Sequence, residues 1–288
     1  MRKCVLSLTL AVVCAVAAEI AQAQTSASFD SAGVSIRYEV RGAGTPVVLI
    51  HGFTGSAQRH FGTPGIIDAL SKEGYRVVAM DCRGHGQSAK PLDSEAYGLQ
   101  MVDDVVRLLD HLRIDRAHIV GYSMGGAIAL QMLVRHPQRL LTATMLGAGW
   151  EGDEARETKS MLLSLADGFD KKDATALIRG VQAGGGTLTE EQIAAANADL
   201  FTRNPPQVLA AIARGLLPLY DVQADRLRAV SIPLLALMGE YDNTPAAKRL
   251  VSIVPGAEYE ELPKATHASS VRASATPLTT FLARHSRR

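Results

Sequence analysis

The sequence has little cysteine, few aromatics and no excess of charge of either sign. Three of its 288 residues are cysteines. Two of them, Cys4 and Cys14, fall in an N-terminal segment with the character of an export signal. That leaves Cys82 alone and excludes an intramolecular disulfide framework. Lys and Arg number 30 against 29 Asp and Glu, a formal charge of +1, and no basic cluster stands out, so a dedicated nucleic-acid surface is not expected. Charged residues make up 20% of the chain and low-complexity tracts are missing, which argues against general disorder. No His-Glu-x-x-His, Cys-x-x-Cys, Walker loop or well-placed Gly-x-Gly-x-x-Gly occurs, so no metal or other cofactor is expected.

At the N-terminus, Arg2 and Lys3 precede the apolar stretch Val5 to Ala18, and Ala21-Gln22-Ala23 offers the small-x-small pattern of a signal-peptidase site. Residues 1–23 are therefore expected to be a cleaved secretory signal, giving a secreted or periplasmic protein. The apolar stretch is shorter than the ~20 residues of a spanning helix, which disfavours a stable membrane anchor. Val13 stands before Cys14 where a lipoprotein would carry a small residue.

Beyond the signal, hydrophobic patterning is strong, with 47% apolar residues, enough for one large core. Val34 to Val40 alternates apolar and polar residues, the signature of a half-exposed strand. Consecutive apolar runs follow at Val47–Ile50, Val77–Met80, Ile119–Val120, Leu141–Leu146 and Leu234–Met238. Such runs suit strands covered on both faces of a mainly parallel sheet. Between them, Val102, Val105, Val106, Leu109 and Leu112 form one stripe of a helix. Strands alternating with amphipathic helices predict a doubly wound α/β fold. The alternation stops between Gly149 and Asp221, where helices are expected over Glu151–Ala166, Thr189–Asn197 and Pro206–Leu217, with a flexible break at Gly184-Gly185-Gly186. The expected organisation is a core of residues 24–148 and 221–288 with an inserted helical cap at 149–220.

The most specific local pattern is Gly121-Tyr122-Ser123-Met124-Gly125-Gly126, between a buried strand and the helix expected at Ala127–Val134. A serine among glycines at such a turn matches the nucleophile elbow, whose crowding demands small neighbours. The N-terminus of the following helix favours an anionic oxygen. A serine needs a general base and a third group to orient that base. Among eight histidines, His267 lies in a loop after the strand expected at Ala257–Leu262, at a strand's carboxyl end where sites assemble. His60, His111, His118, His136 and His285 fall in helices, near helix ends or in the tail and read as solvated or capping. Asp242, just beyond the strand ending at Met238, is the favoured acid, with Glu240 and Asp225 as alternatives. Cys82 reads as a buried or loop thiol.

From about Phe29 onward the chain resembles the α/β-hydrolase-fold serine hydrolases, in the subgroup with a helical cap after the sixth strand. Four segments carry the resemblance: His51-Gly52-Phe53-Thr54-Gly55-Ser56, Asp81-Cys82-Arg83-Gly84-His85-Gly86-Gln87-Ser88, the serine elbow, and the Asp242 and His267 region. Their order, Ser123, Asp242, His267, is that of the family. The resemblance implies that the main-chain amides of Phe53 and Met124 form the oxyanion hole, that His51 braces its loop, and that Arg83, His85 and Ser88 are structural. Relatives that open epoxides or displace halides carry aspartate at the elbow, so Ser123 points to acyl transfer.

The expected activity is hydrolysis of a small or medium carboxylic ester through an acyl-enzyme, with Phe53, Tyr122 and Trp150 as candidate pocket walls. For Trp150, packing at the hinge of the cap is an equal reading. An exported location favours esters and lactones over thioesters of coenzyme A. Alternatives on the same fold are a lactonase, a carbon–carbon bond hydrolase, a perhydrolase and a prolyl aminopeptidase, for which Glu151, Asp153 and Glu154 are the acidic cap residues. A small-ligand receptor that keeps the triad is the alternative outside enzymes. Oligomeric state has no signature in the sequence.

Overall fold

A computed structural model describes residues 25–182 and 186–286. The expected signal over residues 1–23, and Gly184 and Gly185 of the expected glycine break, lie outside the described residues.

Eight strands form one sheet: β1 (Thr25–Ser31), β2 (Val34–Arg41), β3 (Pro46–Ile50), β4 (Arg76–Met80), β5 (Ala117–Tyr122), β6 (Leu140–Leu146), β7 (Leu234–Gly239) and β8 (Glu258–Leu262). Their spatial order is β1-β2-β4-β3-β5-β6-β7-β8. The pairs β1/β2 and β2/β4 are antiparallel, and every pair from β4 to β8 is parallel. The doubly wound, mainly parallel sheet expected from the sequence is present.

Alternation along each strand divides the core in two. Val48, Ile50, Ile119, Met145 and Met238 face one apolar layer, against α2 (Leu99–His111) and α3 (Met124–Arg135). Val47, Leu49, Val120, Leu146 and Leu237 face the other, against α1 (Ile66–Lys72), α10 (His267–Ala273) and α11 (Ala275–His285). Because both faces are covered, both side-chain sets of β3, β4 and β7 are apolar, which accounts for their consecutive hydrophobic runs, while β5 and β6 carry the buried polar residues His118, Thr142 and Thr144.

Between β6 and β7 the chain is helical: α4 (Arg156–Asp170), α5 (Thr175–Val181), α6 (Glu190–Arg203), α7 (Pro206–Gly215), a 3-10 turn at Leu217–Tyr220 and α8 (Ala224–Arg228). The first of these starts later than Glu151 because the chain enters it through Gly152 at φ +92° and Ala155 in the left-handed region. The second begins where expected, with a capping box in which Thr189 Oγ1 accepts from the Gln192 amide and the Gln192 side chain accepts from the Thr189 amide. It then continues to Arg203 rather than stopping at Asn197. The short α5 was not expected. Phe169, Leu209 and Ile212 of these helices lie in the same apolar layer as Met124 and Ile128. Gln131 in α3 further ties the layers by donating to the carbonyls of Pro218 and Leu219. Strand β7 leads into α9 (Thr244–Ile253), β8 and the two C-terminal helices.

Candidate active site

Ser123 lies between the last residue of β5 and the first of α3, at φ +55° and ψ −117°. A side chain rarely holds that conformation, which costs about 1–3 kcal/mol and persists only where surroundings enforce it. Here the Ser123 amide donates to the Leu146 carbonyl on β6 at 2.8 Å, and the Ser123 carbonyl accepts from the Gly126 amide at 2.8 Å. A side chain at Gly121 would run into the Gly125 carbonyl, and one at Gly125 into that of Ile50. The glycines expected on grounds of crowding are therefore required by backbone contact, and α3 begins at Met124 rather than Ala127.

His267 is the first residue of α10, fixed by a capping exchange between Thr266 and Ser269. Asp242 lies in the loop after β7, where its Oδ1 accepts from the Asn243 amide at 2.8 Å. Its Oδ2 accepts from His267 Nδ1 at 2.7 Å, and His267 Nε2 stands 2.9 Å from Ser123 Oγ. With the Nδ1 proton held by the carboxylate, Nε2 is the free acceptor for the serine proton. The alternative acids are engaged elsewhere: Glu240 accepts from the Lys264 amide, and Asp225 pairs with Arg228 on α8.

The Phe53 and Met124 amides form no hydrogen bond among the described residues. Met124 opens α3, so its N–H adds to the positive end of that helix. The peptide joining Gly52 to Phe53 is oriented through its carbonyl. His51 Nδ1 donates to the Gly52 oxygen at 2.7 Å, and the Gly55 amide donates to it at 3.3 Å. In a trans peptide the N–H points opposite to the C=O, so pinning the Gly52 oxygen fixes where the Phe53 amide points.

The Asp81–Ser88 turn holds this loop from behind. The Cys82 amide donates to His51 Nε2 at 3.0 Å, and Asp81 accepts from the amides of Ala57 and Gln87. Arg83 forks onto Asp104 through Nε and Nη2, both at 2.6 Å, and Ser88 Oγ donates to the Asp81 carbonyl. His85 Nδ1 donates to the Arg83 carbonyl at 3.0 Å. Cys82 is buried, and burial pushes its thiol well above the usual range, the opposite of what a reactive thiolate needs.

A cavity of ≈ 390 Å³ opens above Ser123 and His267, with Phe53 and Met124 in its wall. Leu162, Leu165, Leu177 and Val181 from α4 and α5 give it an apolar side. Glu151, Asn243 and Tyr220 form a polar one. Among the described residues its lining includes no lysine or arginine. Burial raises the Glu151 carboxyl, opposed by Arg249, whose Nη2 donates to it at 3.2 Å, and by Asn243.

Two expected wall residues do not line this cavity. Tyr122 ends β5 with its side chain in the opposite apolar layer, and its hydroxyl donates to the His267 carbonyl at 3.1 Å while its ring lies 5.1 Å from the imidazole. Trp150 donates from Nε1 to the Val222 carbonyl at 2.8 Å, joining the two ends of the helical insertion, which is the hinge-packing alternative.

Two histidines also differ from the sequence reading. His118 lies in β5, fully buried, with Nδ1 against Thr142 Oγ1 at 2.9 Å and Nε2 against Ser286 Oγ at 3.0 Å. His60 is partly buried, and rather than capping a helix its Nδ1 accepts from the Gly52 amide at 3.1 Å. A lone histidine in a short helical stretch gives no sequence signal of that contact.

Residues 45–268 match the family model described as alpha/beta hydrolase fold. The chain is 40% identical over 126 residues to the dihydrolipoyllysine-residue acetyltransferase component of the acetoin cleaving system of Cupriavidus necator, covering 43% of this chain and 32% of that protein. It is 35% identical over 118 residues to 2-hydroxymuconate semialdehyde hydrolase of Pseudomonas sp., covering 41% of each. The chain thus spans less than half the length of these curated relatives. Among solved structures, Est816, an N-acyl homoserine lactone degrading enzyme, superposes with a TM-score of 0.68 at 26% identity, over 90% of this chain and 99% of that one.

Proposed function

The chain belongs to the alpha/beta hydrolase fold family, and we propose that this hydrolase cleaves a neutral carboxylic ester of small or medium size, with Ser123 as nucleophile. The observation that carries the reading is the relay from Asp242 through His267 to Ser123 at 2.7 and 2.9 Å. His267 takes the proton as Ser123 Oγ bonds to the ester carbon, and Asp242 stabilises the imidazolium that forms. Charge collects on the carbonyl oxygen, where the amides of Phe53 and Met124 donate to it. Each such donor contributes about 3–4 kcal/mol when already in place. As the tetrahedral intermediate collapses, the His267 proton passes to the departing alcohol oxygen and the acyl group stays on Ser123. Water, deprotonated by His267, then attacks the acyl carbon, and the proton returns to Ser123 Oγ as the acid leaves.

The wall supports a neutral substrate. Carboxylates at Glu151 and Asp242, with no lysine or arginine among the described lining residues, give a carboxylate-bearing substrate no counter-charge. That weighs against carbon–carbon substrates carrying such a group. The insertion at 149–220 acts as the cap that encloses the substrate, and residues 1–23 as a cleaved export signal. A lactone is the second reading, since it is a neutral ester and the lactone-degrading relative aligns over nearly all of the chain. Purified protein should hydrolyse p-nitrophenyl esters or lactones, and Ser123→Ala should abolish that turnover. Ligand binding without turnover by the wild type would favour a receptor instead.

A further inference from the structure

We propose that His60 is a positioning residue of the oxyanion site, its imidazole accepting the Gly52 amide and holding the loop that presents the Phe53 N–H. The inference rests on the proposed acyl-transfer chemistry. The loop from His51 to Ala57 leads directly into a π-helical turn at Gln58–Gly62, which folds the His60 ring back over the loop's start.

Gly52 is held at both ends of its residue. Its carbonyl is taken by His51 and Gly55, and its amide donates to His60 Nδ1 at 3.1 Å. His51 therefore sets the rotation of the Gly52–Phe53 peptide, and His60 sets that of the peptide before it. Either peptide can carry the Phe53 amide off target if released.

The ring is confined on several sides. It lies edge-to-face against Tyr122 at 4.9 Å, with the His51 ring at 6.0 Å. A side chain at Gly55 would strike it, which gives that glycine a reason in the loop. Tyr122 in turn leans on the His267 imidazole. His60 is thereby one ring removed from the general base while touching the oxyanion loop.

Acceptance of the Gly52 amide requires an unprotonated Nδ1. Burial, helped by the charges of His51, Arg59 and His267, pushes the His60 pKa down to about 3. The ring remains an acceptor while His267 charges during catalysis, and it adds no second positive charge beside the imidazolium.

The test pairs His60→Phe, which keeps a ring against Tyr122 but loses the acceptor, with His60→Gln, which restores an acceptor. The readout is kcat and KM on a p-nitrophenyl ester and on its thionoester, whose sulfur takes hydrogen bonds poorly. The wild type should prefer the oxygen ester. In His60→Phe the oxygen-ester kcat should fall roughly 10- to 100-fold with KM within about threefold, and the oxygen-to-thiono ratio should fall with it. His60→Gln should recover most of that ratio. An unchanged ratio in folded His60→Phe, equal losses on both esters, or His60→Gln no better than His60→Phe would overturn the proposal. Should His60→Phe fail to fold, the order of His60→Gln above His60→Leu decides the same point. Failure of the acyl-transfer reading is separate: the wild type would then turn over neither ester.

Discussion

The imidazole Nε2 of His267 stands 2.9 Å from the hydroxyl of Ser123, although 144 residues separate the two. Both residues follow directly from the carboxyl-terminal side of the parallel sheet, one where β5 turns into α3 and the other where the chain from β8 enters α10. The sheet brings them together because its parallel strands deliver their ends to one edge.

Asp242→Asn should leave the fold intact and reduce turnover by about 10³- to 10⁴-fold. The amide cannot stabilise an imidazolium and favours the wrong tautomer of His267. Thermal melting alongside ester kinetics checks both halves. Near-normal turnover would move the acid role away from Asp242.

Charge in the cavity wall should select substrates. Of two esters of one alcohol, a butyrate and a hemisuccinate, the neutral one should be preferred roughly tenfold or more, a factor expected between like charges several ångströms apart in a partly wet site. Glu151→Gln should narrow the gap. A wild type that prefers the hemisuccinate would contradict the neutral-substrate reading.

Asp104→Ala should lower stability by about 3–5 kcal/mol, because it strands a buried guanidinium. Asp104 accepts from Arg83 Nε and Nη2 and from Ser31 Oγ, leaving Arg83 only the Ala96 carbonyl when it is removed, and the charged side chains are 4% and 0% exposed. Urea denaturation measures the loss. A change below 1 kcal/mol would mean that Arg83 finds another partner or water.

His118 should make stability depend on acid. Burial, with the neighbouring His285 charge adding, holds its pKa down to about 4 against an ordinary 6.5. The unfolded chain therefore binds the proton more readily, so the stability tied to neutral His118 is full above pH 6.5 and is lost as pH falls towards 4. The linked free energy is about 3 kcal/mol. Between pH 7 and 4 the stability gap separating wild type from His118→Gln should shrink, as read from urea midpoints. A constant gap would show that His118 does not titrate with unfolding.

The sequence was most readable where burial is two-sided. Val47–Ile50 and Leu234–Met238 are apolar at consecutive positions because helices cover both faces of β3 and β7, whereas Leu141–Leu146 on β6 is interrupted by the buried Thr142 and Thr144; each of the three segments lies within a residue or two of its strand. Strand β1, Thr25–Ser31, pairs only with β2 at the sheet edge, and its polar TSASFDS sequence carries no such run. The pairing of Ser123 with Asp242 and His267 was foreseeable because motif order and strand ends constrain it. Side-chain direction was less readable. Tyr122 adjoins Ser123 in sequence, but strand alternation sends its ring behind His267, and Trp150 is taken by the Val222 carbonyl. His60 reaches Gly52 through a turn whose shape no local pattern announces.

The central claim is that Ser123 is an activated nucleophile. Its most direct test is reaction of the purified protein with a fluorophosphonate, followed by peptide mass mapping, with p-nitrophenyl esters of increasing chain length run in parallel. Labelling at Ser123, lost in His267→Ala and accompanied by chain-length-dependent turnover, is the expected result. A folded protein that takes no label at Ser123 would contradict the claim.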